Sequence, residues 1–193
     1  RVDGLGSKLL NFLENHDEQR FASEQYAGDA MRVTPSLIVS AMLSTGPMMI
    51  YAGQELGEKG ADAEGFSGRD GRTTIFDFWS IPTLRRWLDG GRCSLDKLEP
   101  WERALRSLYG RVLTLCNSEK ALREGGFFDL MYVNYQNPTL DPHRQYTFMR
   151  AADGEALLVA VNFAGHDCDL QINIPRHAFE VLGLHEGEAD AQE

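Results

Sequence analysis

Residues 9–14, Leu-Leu-Asn-Phe-Leu-Glu, form an apolar run of the length a buried strand needs. The run stops at a polar cluster, Asn15-His16-Asp17-Glu18-Gln19-Arg20. Polar residues at the end of a buried strand are where α/β folds place chemistry. Thr34-Pro35 reads as an N-cap followed by proline at the first helical position, and it predicts a buried helix over residues 36–45. Gly46-Pro47 stops that helix. Residues 48–52, Met-Met-Ile-Tyr-Ala, predict a second buried strand that ends in Gly53-Gln54-Glu55-Leu56-Gly57. The order strand, polar tip, helix, strand, polar tip is a βαβ unit with a parallel pair, and it puts both tips on one face. Residues 58–91 are rich in glycine and charge, including Gly60, Gly65, Gly68 and Gly71, and predict a long loop with a short helix over 82–88. A loop of that length inside a compact domain is usually functional or mobile.

From residue 95 to 123 the period changes to three and four. Leu98, Trp101, Leu105, Leu108, Val112 and Leu115 share one helical face. Glu99/Arg103 and Glu102/Arg106 fall on the opposite, wet face as i,i+4 pairs. Trp101 and Tyr109 read as core. Gly125-Gly126 ends the helix. Beyond it, residues 127–135, 146–150, 156–163, 168–174 and 179–184 are strand-like. They are separated by Asn137-Pro138, Asp153-Gly154, Gly165-His166 and Pro175. Asp153-Gly154 predicts a tight hairpin, and the set predicts an antiparallel sandwich. The acidic tail 186–193 is expected to fray. The fold class expected is therefore α/β plus all-β, with one domain over 1–125 and a β domain over 126–193.

Composition narrows the partners. The 193 residues carry 29 acidic and 19 basic side chains, a formal charge of −10. That balance argues against a nucleic-acid backbone, which needs a basic footprint, and equally against an anionic membrane surface. No apolar run approaches the ~20 residues of a membrane span; residues 37–52 are interrupted by Ser40, Ser44, Thr45, Gly46 and Pro47. Cys93, Cys116 and Cys168 are widely spaced and read as free thiols. His143, His166, His177 and His185 lack ligand spacing and read as surface residues, so no metal is expected. The chain opens on Arg1-Val2-Asp3-Gly4 rather than methionine. The expectation is a fragment, with a processed chain as the alternative, and cytoplasm and periplasm are both compatible.

Phe12-Leu13-Glu14-Asn15-His16-Asp17 resembles the fourth conserved region of glycoside hydrolase family 13, the α-amylase family, where the seventh strand of a TIM barrel ends in Asn-His-Asp. Residues 46–55, Gly-Pro-Met-Met-Ile-Tyr-Ala-Gly-Gln-Glu, resemble the eighth strand of that family. Residues 68–79 loosely resemble the R-D-x-x-R-T loop of related α-glucosidases, with one residue fewer between Asp70 and Arg72. A β-sandwich after the last barrel helix is also what the family has. The resemblance covers nearly the whole chain. It implies the last βα units of a TIM barrel followed by a sandwich, and an α-glucan or maltooligosaccharide substrate.

By that resemblance Asp17 is the third carboxylate, the transition-state stabiliser that grips two hydroxyls of the reacting glucose. His16 donates to the same sugar, Arg20 lies near these anions to tune Asp17 or to hold the loop, and Arg72 pairs with a carboxylate at the blind end. The plain alternatives are a loop carboxylate for Asp17, a structural histidine for His16, a salt-bridging arginine for Arg20 and a solvated charge for Arg72. Glu55 reads as support for its own loop. Tyr51, Phe76, Phe78 and Trp79 serve as stacking platforms or as core. Retaining glycosidases need a carboxylate nucleophile and a carboxylic acid/base about 5 Å apart. In this family both follow earlier strands, and no segment here ends G-x-R-x-D. A whole barrel needs about 250 residues. The chain alone is thus expected to be inactive, to need no cofactor and no calcium, and to self-associate through its open strand edges. The other readings are a non-catalytic carbohydrate-binding or interaction module and an α-glucan transglycosylase of the same family.

Overall fold

The computed structural model describes residues 5–61, 68–76 and 81–185. Phe78, Trp79, Gly65, the opening tetrapeptide and the acidic tail 186–193 lie outside the described residues. The chain divides into two compact units, Arg1–Met42 with Gly46–Thr114 and Leu43–Thr45 with Leu115–Glu193. The division falls inside the long helix.

In the first unit, β1 (Asn11–Phe12) and β2 (Met48–Met49) pair in parallel, Asn11 opposite Met48 and Phe12 opposite Met49. Between them run a 3-10 turn, Ala30–Val33, and helix α1, Thr34–Met42. The turn is opened by Asp29, whose carboxylate accepts the Met31 N–H at 2.9 Å. This is the expected strand–helix–strand unit, with strands shorter than the apolar runs. Helix α2, Pro82–Leu88, starts on proline as anticipated. Ile81, Leu84, Leu56 and Leu98 form a buried cluster with Trp87 packed against it.

Helix α3, Pro100–Ser118, is rotated from the face its apolar spacing predicts. Glu102, Leu105, Tyr109 and Val112 are buried, whereas Trp101 and Leu115 are exposed. Glu102 was expected on the wet side beside Arg106. Its carboxylate instead accepts the Glu99 N–H at 2.8 Å, as in a capping box, and pairs with the Arg86 guanidinium. Once paired, a carboxylate can be buried at little cost, and the helix turns to bury it in place of the larger indole.

The second unit holds α4 (Lys120–Arg123) and a three-stranded antiparallel sheet in the order β3 (Gly126–Asp129), β4 (Gln145–Ala152), β5 (Glu155–Asn162). Asp153 and Gly154 both have positive φ, +50° and +86°, which is the backbone of a two-residue type I′ hairpin. Arg150 of β4 is buried, and its guanidinium donates to the carbonyls of Leu122, Gly125 and Gly126 at 2.8–3.2 Å.

The five-stranded expectation, and with it the two-sheet sandwich, is corrected at three places along this unit. β3 ends at Asp129, whose side chain accepts the Met131 N–H and opens a short helix, α5, Met131–Asn134. Residues 168–174 form no strand. The N–H groups of Gln171 and Asn173 go to side chains of Thr139 and Asn134 rather than to a ladder. Residues 179–184 begin inside a helix, α6, Arg176–Leu182, which is entered from Pro175. Ala178 and Leu182, four apart, pack with Phe128, Leu130 and Met149, and Arg176 and Glu180 pair on the outer side. Among the described residues a helix therefore covers the sheet where a second sheet was expected.

Candidate functional site

The polar tip after β1 is built on one buried ion pair. Glu14 and Arg20 are 2% and 0% exposed, with the Arg20 Nη1 2.9 Å from the Glu14 Oε2. The other two guanidinium nitrogens are bonded as well. Nε donates to the Thr73 hydroxyl at 2.9 Å, Nη2 donates to the Ala52 carbonyl at 2.7 Å, and the Tyr51 ring lies 4.2 Å from the guanidinium carbon. The second Glu14 oxygen accepts the Phe21 N–H at 2.8 Å. Burial raises the Glu14 carboxyl above its ordinary range, and the Arg20 cation opposes that rise. The pair thus bolts both ends of residues 14–21 to the end of β2.

Between those bolted ends the chain turns outward. The Asn15 side-chain oxygen accepts the N–H groups of Asp17 and Glu18 at 2.8 and 2.9 Å, an Asx turn. The turn leaves the side chains of His16 and Asp17 40% and 66% exposed, with Nε2 and Oδ2 3.5 Å apart. The expected ligand-facing pair is therefore at the surface, side by side. Arg20 is not with it. It is fully buried, donating to Glu14, Thr73 and Ala52, so it ties the loop down and does not face outward with His16 and Asp17.

The Gly-Arg-Asp-Gly-Arg loop lies against this tip. The Arg20 N–H donates to the Gly71 carbonyl at 2.6 Å, and the Gln25 side chain donates to the Arg69 carbonyl at 3.3 Å. Gly71 has φ +80°, and a β-carbon there would sit 2.7 Å from the Gln25 oxygen and 2.9 Å from Ser23, so only glycine fits. The Tyr51 hydroxyl donates to the Thr73 carbonyl at 2.9 Å, which fixes the loop to β2 as well. Arg72 is 30% exposed, its Nη1 3.9 Å from Asp70, and its Nε is buried without a hydrogen-bond partner. Asp17 pairs with His16 and Arg72 with Asp70; the two pairs are connected through the Arg20–Gly71 backbone bond rather than directly.

The second tip is structural. Gln54 is buried, accepting the Tyr51 N–H at 3.2 Å and donating to the Tyr109 hydroxyl at 2.9 Å. Burial holds the Tyr109 phenol well above its ordinary pKa. Glu55 pairs with Arg106 at 3.4 Å. Thr73 is a site-forming residue that the sequence pattern did not single out, and Tyr51, read there as a stacking platform or core, packs on the Arg20 guanidinium instead. The only signal for Thr73 was its position beside Arg72. Among the described residues no group of three or more His, Cys, Asp or Glu side chains is placed to hold a metal ion. An exposed carboxylate has about four acceptor positions, and a neighbouring imidazole supplies a donor. The pair can grip a ligand that carries adjacent hydroxyls.

No protein-family model matches the sequence, and no curated protein matches it. Solved structures do. AmyP in complex with maltose is 21% identical over 80% of this chain, with a TM-score of 0.51. An AmyP variant in complex with maltotriose gives the same identity, coverage and TM-score. The chain shares the fold of a segment of AmyP. A debranching enzyme from Nostoc punctiforme, soaked with acarbose, is also similar at 21% identity over 80% of this chain, with a TM-score of 0.49. The chain spans 24–31% of the length of these three structures.

Proposed function

We propose that this chain supplies the substrate-gripping end of a retaining α-glucan glycoside hydrolase of the α-amylase type. Asp17 is the transition-state-stabilising carboxylate, and His16 donates to the same sugar. Arg72 stands at the blind end, on a loop that the Arg20–Gly71 bond holds against the tip. Residues 1–125 belong to the catalytic barrel and residues 126–193 to a C-terminal β domain. The observation that supports this reading best is the exposed His16–Asp17 pair raised by the Asn15 turn at the end of β1. A charged acceptor binds hydroxyl donors more strongly than a neutral one, so Asp17 both orients the sugar and strengthens its hold as the ring distorts.

One carboxylate cannot be nucleophile and acid/base at once. Glu14, three residues before Asp17, is closed off by Arg20 and Phe21. The chain alone should therefore leave soluble starch and a chromogenic maltooligosaccharide unchanged. When it is expressed together with the upstream coding sequence, the longer protein should cleave both with retention of configuration. Asp17→Asn should then lower kcat on the order of 100-fold or more. Turnover by the isolated chain that Asp17→Asn abolishes would place a complete site within it, against this reading. Equal turnover of the longer protein with and without Asp17 would end the assignment.

A further inference from the structure

A second concavity lies in the first unit, lined by none of the residues of the His16–Asp17 tip. It is a cavity of about 170 Å³ with Trp101, Pro82, Arg86, Glu58 and Glu102 in its wall. A cavity of about 150 Å³ is enough to hold a six-membered ring. Its polar and apolar parts are separated. Trp101 is 38% exposed, with the six-membered end of its indole against Gly57. Gly57 has φ +70°, and a β-carbon there would sit 2.6 Å from the indole, so the ring occupies the space a side chain would take.

The carboxylates are fixed in place. Glu58 is 4% exposed; one oxygen accepts the N–H groups of Lys59 and Gly60 at 3.0 and 2.9 Å, and the other accepts the Thr83 hydroxyl. Glu102 is 1% exposed and held by Arg86 and the Glu99 N–H. Neither can move to meet a ligand, and neither needs to, because an ionised carboxylate has more acceptor positions than these partners fill. Arg86 contributes the opposite need. Its side chain is 38% exposed and carries five N–H donors, of which the Glu102 pair takes one.

We infer that this cavity is a binding site for a neutral pyranose ring. The wall charges balance, Glu58 and Glu102 against Arg86 and Lys59, so nothing favours a charged ligand. The ligand must donate to carboxylates, accept from the part-exposed Arg86 guanidinium and present C–H surface to Trp101 and Pro82. Hydroxyls do the first two and the body of a sugar ring does the third. Aromatic walls with a few fixed polar groups are the general form of such sites.

The test is titration of the chain with D-glucose and with maltose, read at the three tryptophan indole N–H resonances. Trp101 is assigned from the Trp101→Phe variant. Saturable millimolar binding that shifts Trp101 supports the site, as does at least tenfold weakening in Trp101→Ala and in Arg86→Met. The midpoint read at Trp101 should be the same in Asp17→Asn, whatever sugar the tip itself takes up, which separates this cavity from the tip. If an alanine variant does not fold, as its melting curve will show, the Trp101 shift in the native chain still decides. No saturable shift of Trp101 up to the solubility of the sugars would overturn the inference. So would a Trp101 shift that Asp17→Asn removes, or displacement of the sugar by acetate at equal concentration, which would mark an anion site.

Discussion

At the scale of single residues, the tip separates charges that hold from charges that present. Arg20 and Glu14 are invisible to solvent, whereas Asp17 and His16 face it. Their substitutions should differ accordingly. Arg20→Met leaves a buried carboxylate without its cation, and breaking such a pair costs about 3–5 kcal/mol. Asp17→Asn removes a surface charge and should change stability by less than about 0.5 kcal/mol. The double variant Glu14→Leu/Arg20→Met removes both charges and should recover much of the loss, since buried ion pairs often break even against apolar replacements. Urea unfolding of the three variants checks this. Arg20→Met no more destabilised than Asp17→Asn would mean that the pair does not hold the tip. In the sequence Arg20 sits in an unbroken polar run with Asp17. Nothing local distinguishes the buried member from the exposed one. Glu14, however, falls within the apolar run 9–14, and a carboxylate there needs a buried partner.

At the scale of elements, local signals were legible where one short stretch decides the structure. Pro82 opened α2, the Gly46-Pro47 break preceded β2, and Asp153-Gly154 made the hairpin. What stayed hidden depended on distant partners. α3 turned to bury Glu102 because Arg86, from another helix, was there to pair with it. Residues 176–182 carry two periods at once: Phe179 and Val181 suggest a strand, Ala178 and Leu182 a helix. The sheet beneath them favoured the second. The hairpin offers a test of one element contact. Asp153, in the turn, pairs with Lys120 of α4. The Lys120 ammonium holds the Asp153 carboxyl below its ordinary value of 3.8. A depressed acid contributes stability above the unfolded pKa and loses it as pH falls through the folded one. Asp153→Asn keeps a turn residue suited to positive φ and removes only the charge. The melting temperatures of the two proteins should differ by a constant amount from pH 7 to 5 and converge below about 3.8. The gap should also shrink in high salt, because both groups are exposed. A gap unaffected by pH would assign the effect to the turn backbone instead.

At the scale of the whole molecule, the described sheets are small and end in open edges. β1 and β2 pair over two residues each, and β3 and β5 each have one unpaired side in the second sheet. Leu9, Leu10 and Phe12 around β1, and Leu158 and Phe163 on and after β5, are more than two-fifths exposed. Unpaired strand edges with apolar neighbours invite pairing with another chain. The charge of −10 opposes it by mutual repulsion. The balance between a short-range apolar attraction and a long-range repulsion is set by ionic strength, since the Debye length falls from about 10 Å at 0.1 M to about 3 Å at 1 M. Self-association should therefore strengthen with salt. Sedimentation equilibrium at tens of micromolar should show a mass rising above 21.6 kDa as salt is added. Lysine at Phe12 or Leu158 places a charge on an edge, the device natural sheets use against pairing. Phe12→Lys and Leu158→Lys should each move the distribution back toward monomer, the effective one identifying the sheet that pairs. A monomer at every salt concentration would show that these edges are closed within one chain. An association that salt weakens would point to complementary charged surfaces rather than to strand edges.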